Sequence, residues 1–316
     1  MKLTSLFFIL LITGFGFGYV EEEVELQAEG CTVKGTLTTQ DDIATSTPLI
    51  ILIAGSGPTD RNGNNPQAKN NSLKYVSDLL VENGYSCLRY DKRAIAASAI
   101  ENFNQKELSF DQMISDASEW VNNYAADVRF HKIILAGHSQ GSLVALCAAN
   151  KNENVSGIIS LAGAGKPIHE VLKWQLSRTL KIEMQGLVDA SLDTLAGGDT
   201  LKHVPDYLAN LFHPSIQPFL ISWMKYDPAK EAAKLKVPML IVNGTTDLQV
   251  TIKDAKLLSE ANPAAQLKLI KNMNHVLKFT KSDEIGEQME LYTDPEIPLH
   301  KKFPKVILSW IEGQEK

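Results

Sequence analysis

Ser139, Asp247 and His275 lie far apart in the chain, yet together they are the residue types that acyl transfer needs. A serine hydroxyl attacks a carbonyl only when a neighbouring base takes its proton, and an imidazole serves as that base when a carboxylate holds its tautomer. Ser139 sits in "GHSQG" (137–141), directly behind the apolar run "KIILAG". A strand that turns into a helix without a loop crowds its own backbone, and glycines at 137 and 141 relieve the crowding. The serine is then strained, with Oγ exposed at a helix N-terminus whose dipole favours developing negative charge. Asp247 follows "MLIVNG" and His275 follows "QLKLIK". Each falls just past the C-terminal end of a predicted strand, the edge where ligand sites gather in parallel sheets. The other histidines fit less well: His131 begins a strand at the opposite edge, and His138 lies inside the elbow. His169, His203 and His213 fall in a helical middle block, and His300 in a late loop.

The tetrahedral intermediate of such a reaction needs two backbone N–H donors. Gln140, next to the nucleophile, supplies one. The glycine-rich "AGSGPTDRNGN" (54–64) follows the apolar strand "PLIILIAG" and faces the same edge, so Ser56 is the second candidate.

The elements that must position these groups alternate along the chain. "VELQAEGCTVKGTLTT" has period two around Glu29-Gly30 and predicts an antiparallel hairpin. Strands are predicted at 48–55, 86–91, 132–137, 156–163, 237–244 and 266–271. Helical spacing marks 73–84, 110–125, 139–150, 252–261 and 304–311. Short apolar strands interleaved with helices imply an α/β fold: a mostly parallel central sheet flanked by helices. The rhythm breaks over 166–236, a nearly all-helical stretch read as an inserted cap between two parts of one core, 19–165 and 237–316. Phe219 and Trp223 in that cap are candidates for the wall of a substrate pocket, or for packing of the cap on the sheet.

The 316 residues, 44% hydrophobic and 22% charged, suffice for a large core, and the net charge of -6 without a basic block argues against nucleic acid as a partner. Residues 1–18 read as a signal peptide: one lysine, an apolar run, Gly16 and Gly18, then the acidic Glu21–Glu23. The run is slightly shorter than the ~20 residues of a membrane span. The expectation is therefore an exported chain, periplasmic or secreted, with no stable span after cleavage. Cys31, Cys87 and Cys147 are an odd set that reads as small buried hydrophobes rather than a disulfide framework or a nucleophile. The glycosylation patterns at Asn70, Asn154 and Asn243 read as chance.

Five blocks, "GSGPTDRNGN" (55–64), "GHSQG" (137–141), "FHPSIQPFLISWMKYDP" (212–228), "GTTDLQV" (244–250) and "MNHVLK" (273–278), together resemble the bacterial EstD-type carboxylesterases of the α/β-hydrolase superfamily. The resemblance implies a triad of Ser139, Asp247 and His275, in that superfamily's chain order of serine, acid and histidine. It also implies oxyanion donors at Ser56 and Gln140, a small-molecule ester as substrate, and neither metal nor cofactor. One block departs from the pattern. Relatives often carry D-x-R-G-x-G-x-S where this chain has "DKRAIAAS" (91–98), with Ala94 and Ala96 in place of glycines. Either that loop changes conformation, or the site beside it is reshaped. A prolyl-type peptidase or a thioesterase uses the same triad. The peptidase would need acidic groups for a substrate ammonium, for which Glu170, Glu183 and Asp206 are candidates. A non-catalytic binding protein is the least favoured alternative.

Overall fold

The alternation that predicts a hairpin at the start of the chain produces one: β1 (Tyr19–Ala28) and β2 (Cys31–Gln40) pair antiparallel around Glu29 and Gly30. Six further strands follow, β3 (Thr47–Ile53), β4 (Ser86–Tyr90), β5 (Phe130–His138), β6 (Val155–Leu161), β7 (Met239–Gly244) and β8 (Gln266–Ile270). They form one eight-stranded sheet in the order β1-β2-β4-β3-β5-β6-β7-β8. All pairings from β4 to β8 are parallel, while β2 meets β4 antiparallel. The computed structural model describes residues 18–41 and 46–315. All of the segment read as a signal peptide except Gly18 therefore lies outside the described residues.

Helices cover both faces of the sheet. In chain order they are α1 (Ser72–Glu82), α2 (Phe110–Tyr124), α3 (Gln140–Ala149), α4 (Ile168–Ser177), α5 (Ile182–Ala196), α6 (Ala209–Phe212), α7 (Gln217–Met224), α8 (Pro228–Lys234), α9 (Ile252–Ala261), α10 (Ile285–Thr293) and α11 (Phe303–Gln314). The central strands are apolar on both faces because both are covered. Alternate residues of β3 go to opposite sides: Leu49, Ile51 and Ile53 join the core under α2 and α3, and Ile50 and Leu52 the core under α1 and α11. Helices α4 to α8 all lie between β6 and β7. Hydrogen bonds tie this block to the sheet-covering helices, among them the Phe110 amide donating to Ser222 Oγ at 2.8 Å and Asn150 Nδ2 donating to the Glu231 carbonyl at 2.9 Å. Cys87 and Cys147 are buried, Cys31 only partly, and all three thiols are free.

Two features read differently from the sequence. The acidic run Glu21–Glu23 belongs to β1, where buried or half-buried arginines from the core meet it. Arg89 pairs with Glu21 at 2.9 Å and Arg61 with Glu23 at 2.8 Å, and Arg129 stands 3.7 Å from Glu22. Helix α10 falls in a stretch whose polar composition gives no helical period.

The "DKRAIAAS" loop keeps the left-handed backbone that glycine permits, with Ala94 at φ 63° and Ala96 at φ 45°. The possibility of a changed conformation is thereby removed. Hydrogen bonds hold the loop against the strain: the Ala94 amide donates to the Ser98 carbonyl at 3.0 Å, Ser98 Oγ donates to the Asp91 carbonyl at 2.8 Å, and the Lys34 amide donates to Ser98 Oγ at 2.8 Å. A left-handed alanine costs about 1–2 kcal/mol, more than the roughly 0.5–1 kcal/mol of chain entropy that glycine costs. Ala94→Gly and Ala96→Gly should therefore each raise unfolding stability, by about 0.5 kcal/mol in urea denaturation. A loss in both would show that the loop relaxes around its alanines.

Candidate active site

The elbow around Ser139 exists because two glycines let three backbones touch. A Cβ on Gly137 would lie 2.1 Å from the Gly141 carbonyl oxygen, and a Cβ on Gly141 would lie 2.2 Å from that of Ile53. No side chain fits at either place. Ser139 is left at φ 54°, ψ -118°, a strained conformation for a residue with a side chain. Its amide donates to the Leu161 carbonyl at 2.8 Å, which anchors the turn to β6. Helix α3 starts at Gln140, so the Gln140 amide is among the unpaired N–H groups of its first turn and opens beside the serine.

Asp247 and His275 are brought together from the ends of β7 and β8. His275 Nδ1 lies 2.8 Å from Asp247 Oδ2, with the two side chains 4% and 0% exposed. The other carboxylate oxygen, Oδ1, accepts the amides of Gln249 at 2.8 Å and Val250 at 2.9 Å. One oxygen thus shapes the loop and the other orients the imidazole. With Nδ1 occupied, Nε2 is the nitrogen left free for a bond to Ser139 Oγ. Among the described residues that last bond is not formed, and such contacts often tighten only around substrate.

His138 is nearly buried and its Nε2 lies 2.8 Å from the His275 carbonyl, so this nitrogen carries the hydrogen and donates it. The two rings stand 4.8 Å apart. Desolvation, with the nearby His275 second, pulls His138 down to about 4. Behind Asp247, the excursion that carries α10 is bonded to the same loop. Gln288 Nε2 donates to the Thr246 carbonyl at 2.8 Å, and Gln249 Nε2 donates to Tyr292 Oη at 3.0 Å.

A cavity of about 120 Å³ opens at Ser139, and Ser56, Gln140, Leu143, Val171, Leu172 and Trp223 are among the residues that line it. The sequence candidates separate here. Ser56, Ser139, Gln140 and Trp223 reach the cavity, whereas Phe219 is not among its lining residues. Phe219 packs one layer back, 6.4 Å from the Phe110 ring and 5.9 Å from Trp223, because Trp223 stacks on Phe110 at 5.7 Å and covers it. Lys92, which stands in the "DKRAIAAS" block, is a functional residue that carries no motif of its own. Its side chain is buried under the Ser56 loop, donating from Nζ to the Gly55 carbonyl and, at 2.9 Å, to the Gly57 carbonyl. Burial pulls it down to about 7. No local signal marks it, because Asp91 is adjacent in sequence yet pairs with Arg61, and the carbonyls that Lys92 meets lie 37 and 35 residues away.

Trp223→Ala should extend the cavity and shift kcat/KM toward longer acyl chains. Phe219→Ala should leave that preference unchanged and cost about 2 kcal/mol of stability, less than the 3–5 typical of a fully buried phenylalanine. Equal acyl-chain profiles for both variants would remove Trp223 from the pocket wall. A second expectation concerns pH. His138 is held neutral in the fold while the unfolded chain takes up its proton as pH falls through about 6.5, so the stability contribution is complete above 6.5 and lost progressively toward pH 4. Between pH 7.5 and 5 the loss from this group should be of the order of 2 kcal/mol. His138→Gln, which keeps a donor but does not titrate, should show a drop smaller by that amount in urea titrations; identical drops would exclude His138 as the cause.

Residues 69–281 match the family described as serine aminopeptidase, S33. The chain is 26% identical over 234 residues to Esterase EstD of Thermotoga maritima, an alignment that spans 73% of this chain and 54% of that relative. The chain thus matches about half the length of that protein. Among solved structures, Est1E from Butyrivibrio proteoclasticus superposes with a TM-score of 0.61 at 17% identity, over 93% of this chain and 98% of its own. The Pyrococcus furiosus esterase Pf2001 gives 0.59 at 13% identity, over 97% and 96%. Both likenesses lie in the fold, an α/β-hydrolase sheet with its helices. A family match running through the greater part of a chain so folded makes this protein a member of the serine aminopeptidase, S33, family.

Proposed function

We propose that this protein is a serine carboxylesterase acting on short-chain esters of small molecules through an acyl-enzyme. The observation that carries the reading is the character of the cavity at Ser139. At about 120 Å³ it is somewhat smaller than the roughly 150 Å³ that admits a benzene ring, and most of its wall is apolar. That is room for a short acyl group. Among the residues lining it there is no carboxylate, and Lys166 is its one charged group. An aminopeptidase must hold a substrate ammonium; Glu170, Glu183 and Asp206, the acidic candidates from the sequence, are all absent from the lining.

Ser139 Oγ attacks the ester carbonyl carbon while His275 Nε2 takes its proton, and the amides of Gln140 and Ser56 receive the negative charge on the carbonyl oxygen. Collapse breaks the bond to the alcohol, which leaves with the proton from His275. Water then repeats the sequence on the acyl-serine and releases the acid. Asp247 stays ionised throughout and stabilises the imidazolium. Cleavage and export of the chain rest on the leader-like residues 1–18, and N-terminal sequencing of the protein recovered from cells tests them.

Ser139→Ala and His275→Ala should each lower kcat by as much as ~10⁶, and Asp247→Asn by about 10⁴. Labelling by a fluorophosphonate should vanish in Ser139→Ala; retained labelling would put the nucleophile elsewhere. A panel of acyl esters, aminoacyl amides and thioesters decides the substrate class. Short acyl esters should give the highest kcat/KM. An aminoacyl amide turned over faster would overturn the esterase reading in favour of the peptidase.

A further inference from the structure

Three consecutive residues, Asp91, Lys92 and Arg93, are all buried at the start of the loop beyond β4. Two of them have opposite charges beside them. Asp91 accepts from Arg61, at 2.7 Å to its amide and 3.0 Å to Nε, and Arg93 grips Asp116 through Nη2 at 2.5 Å and Nε at 2.8 Å. Lys92 has no carboxylate in hydrogen-bond contact, and its Nζ is directed at the carbonyls of Gly55 and Gly57. A buried amine without a counter-ion is costly, so its place calls for a compensating role.

We propose that Lys92 is a positioning residue that aims the Ser56 amide at the oxyanion; the inference rests on the hydrolase reading of the site. The Gly55 carbonyl and the Ser56 N–H belong to one planar trans peptide unit, in which the two bonds point in opposite directions. Fixing the carbonyl oxygen on Lys92 therefore fixes where the N–H points. The bond to Gly57 fixes the Gly57–Pro58 unit two units further on, and the Ser56 carbonyl in the unit between accepts Thr59 Oγ1 at 2.8 Å, so the chain on the far side of Ser56 is held as well. A donor on the carbonyl also polarises the peptide and strengthens its N–H as a donor in turn. The held unit lies against the nucleophile: a Cβ placed on Gly55 would stand 3.3 Å from Ser139 Cβ and 3.2 Å from His138 Nδ1. A neutral amine still has two N–H groups, one for each carbonyl, so the clamp does not depend on the charge of Lys92.

The test is Lys92→Met, which keeps the unbranched shape and removes the donors, assayed on short acyl esters. The expected result is a kcat reduced about 10- to 100-fold with KM within threefold of wild type. Affinity for a trifluoromethyl ketone, which forms an oxyanion on the serine, should fall by the same factor as kcat/KM. A residue that merely fills space would move stability and leave both kinetic readouts in place. A folded Lys92→Met with kcat within twofold of wild type, or with a raised KM alone, overturns the proposal. If Lys92→Met does not fold, Lys92→Gln decides. Its amide is one atom shorter and cannot span both carbonyls, so it should show the same split at smaller amplitude, and wild-type kcat in that variant overturns the clamp. Wild-type protein inert toward the whole substrate panel would instead sink the hydrolase reading on which the clamp rests.

Discussion

The contact on which the site depends is between backbones. β5, α3 and β3 approach so closely at Gly137, Gly141 and Ile53 that atoms of the main chain occupy the space of side chains. This proximity forces the chain to turn within one residue and puts Ser139 in a conformation that a side chain resists. The strain persists because the pieces it joins are rigid. From Gln140 to Ala148 every residue of α3 is buried, and β5 is paired on both sides along its length. Strain held by a packed surround is the usual condition for an exposed nucleophile at such a turn.

The second layer of order is electrostatic, and it concerns the loop rather than the elbow. The segment carrying Ser56 has no regular structure and keeps its shape through Arg61, which reaches Asp91 and Glu23 and donates to Thr36 at 2.6 Å. Buried ion pairs give little net stability against well-packed apolar residues, so specified geometry is the better account of this cluster. The hairpin β1–β2 takes part as well, since it supplies Glu23 and Thr36. Asp116 does the same on the neighbouring α2, where burial raises its carboxyl against the opposing pull of Arg93.

Much of this was legible in the sequence, for reasons that differ by residue. The strands announce themselves because a sheet covered on both faces needs continuous apolar runs, and Ser139, Asp247 and His275 follow such runs directly. Gly137 and Gly141 could be read because their role depends on the local chain. Lys92, His138 and Gln288 could not, because each acts on a backbone carbonyl that sequence distance hides: Gly55, His275 and Thr246. The two alanines at 94 and 96 show the opposite case, in which a rule about residue preference was outweighed by the hydrogen bonds around Asp91 and Ser98. Trp223 and Phe219 were indistinguishable in sequence, one turn apart on α7, and only the position of Phe110 separates them.

The order of strands has a consequence in time. From β5 onward the sheet grows as the chain does, with β6, β7 and β8 each added at the outer edge of the one before. During synthesis Ser139's strand can pair with β3, itself already beside β4, and form its elbow before Asp247 and His275 have been made. Domains fold as segments become available, from the N-terminal side. A half-made chain of this topology presents Ser139 with no His275 beside it, and the completion of the proposed triad coincides with the docking of the last strand.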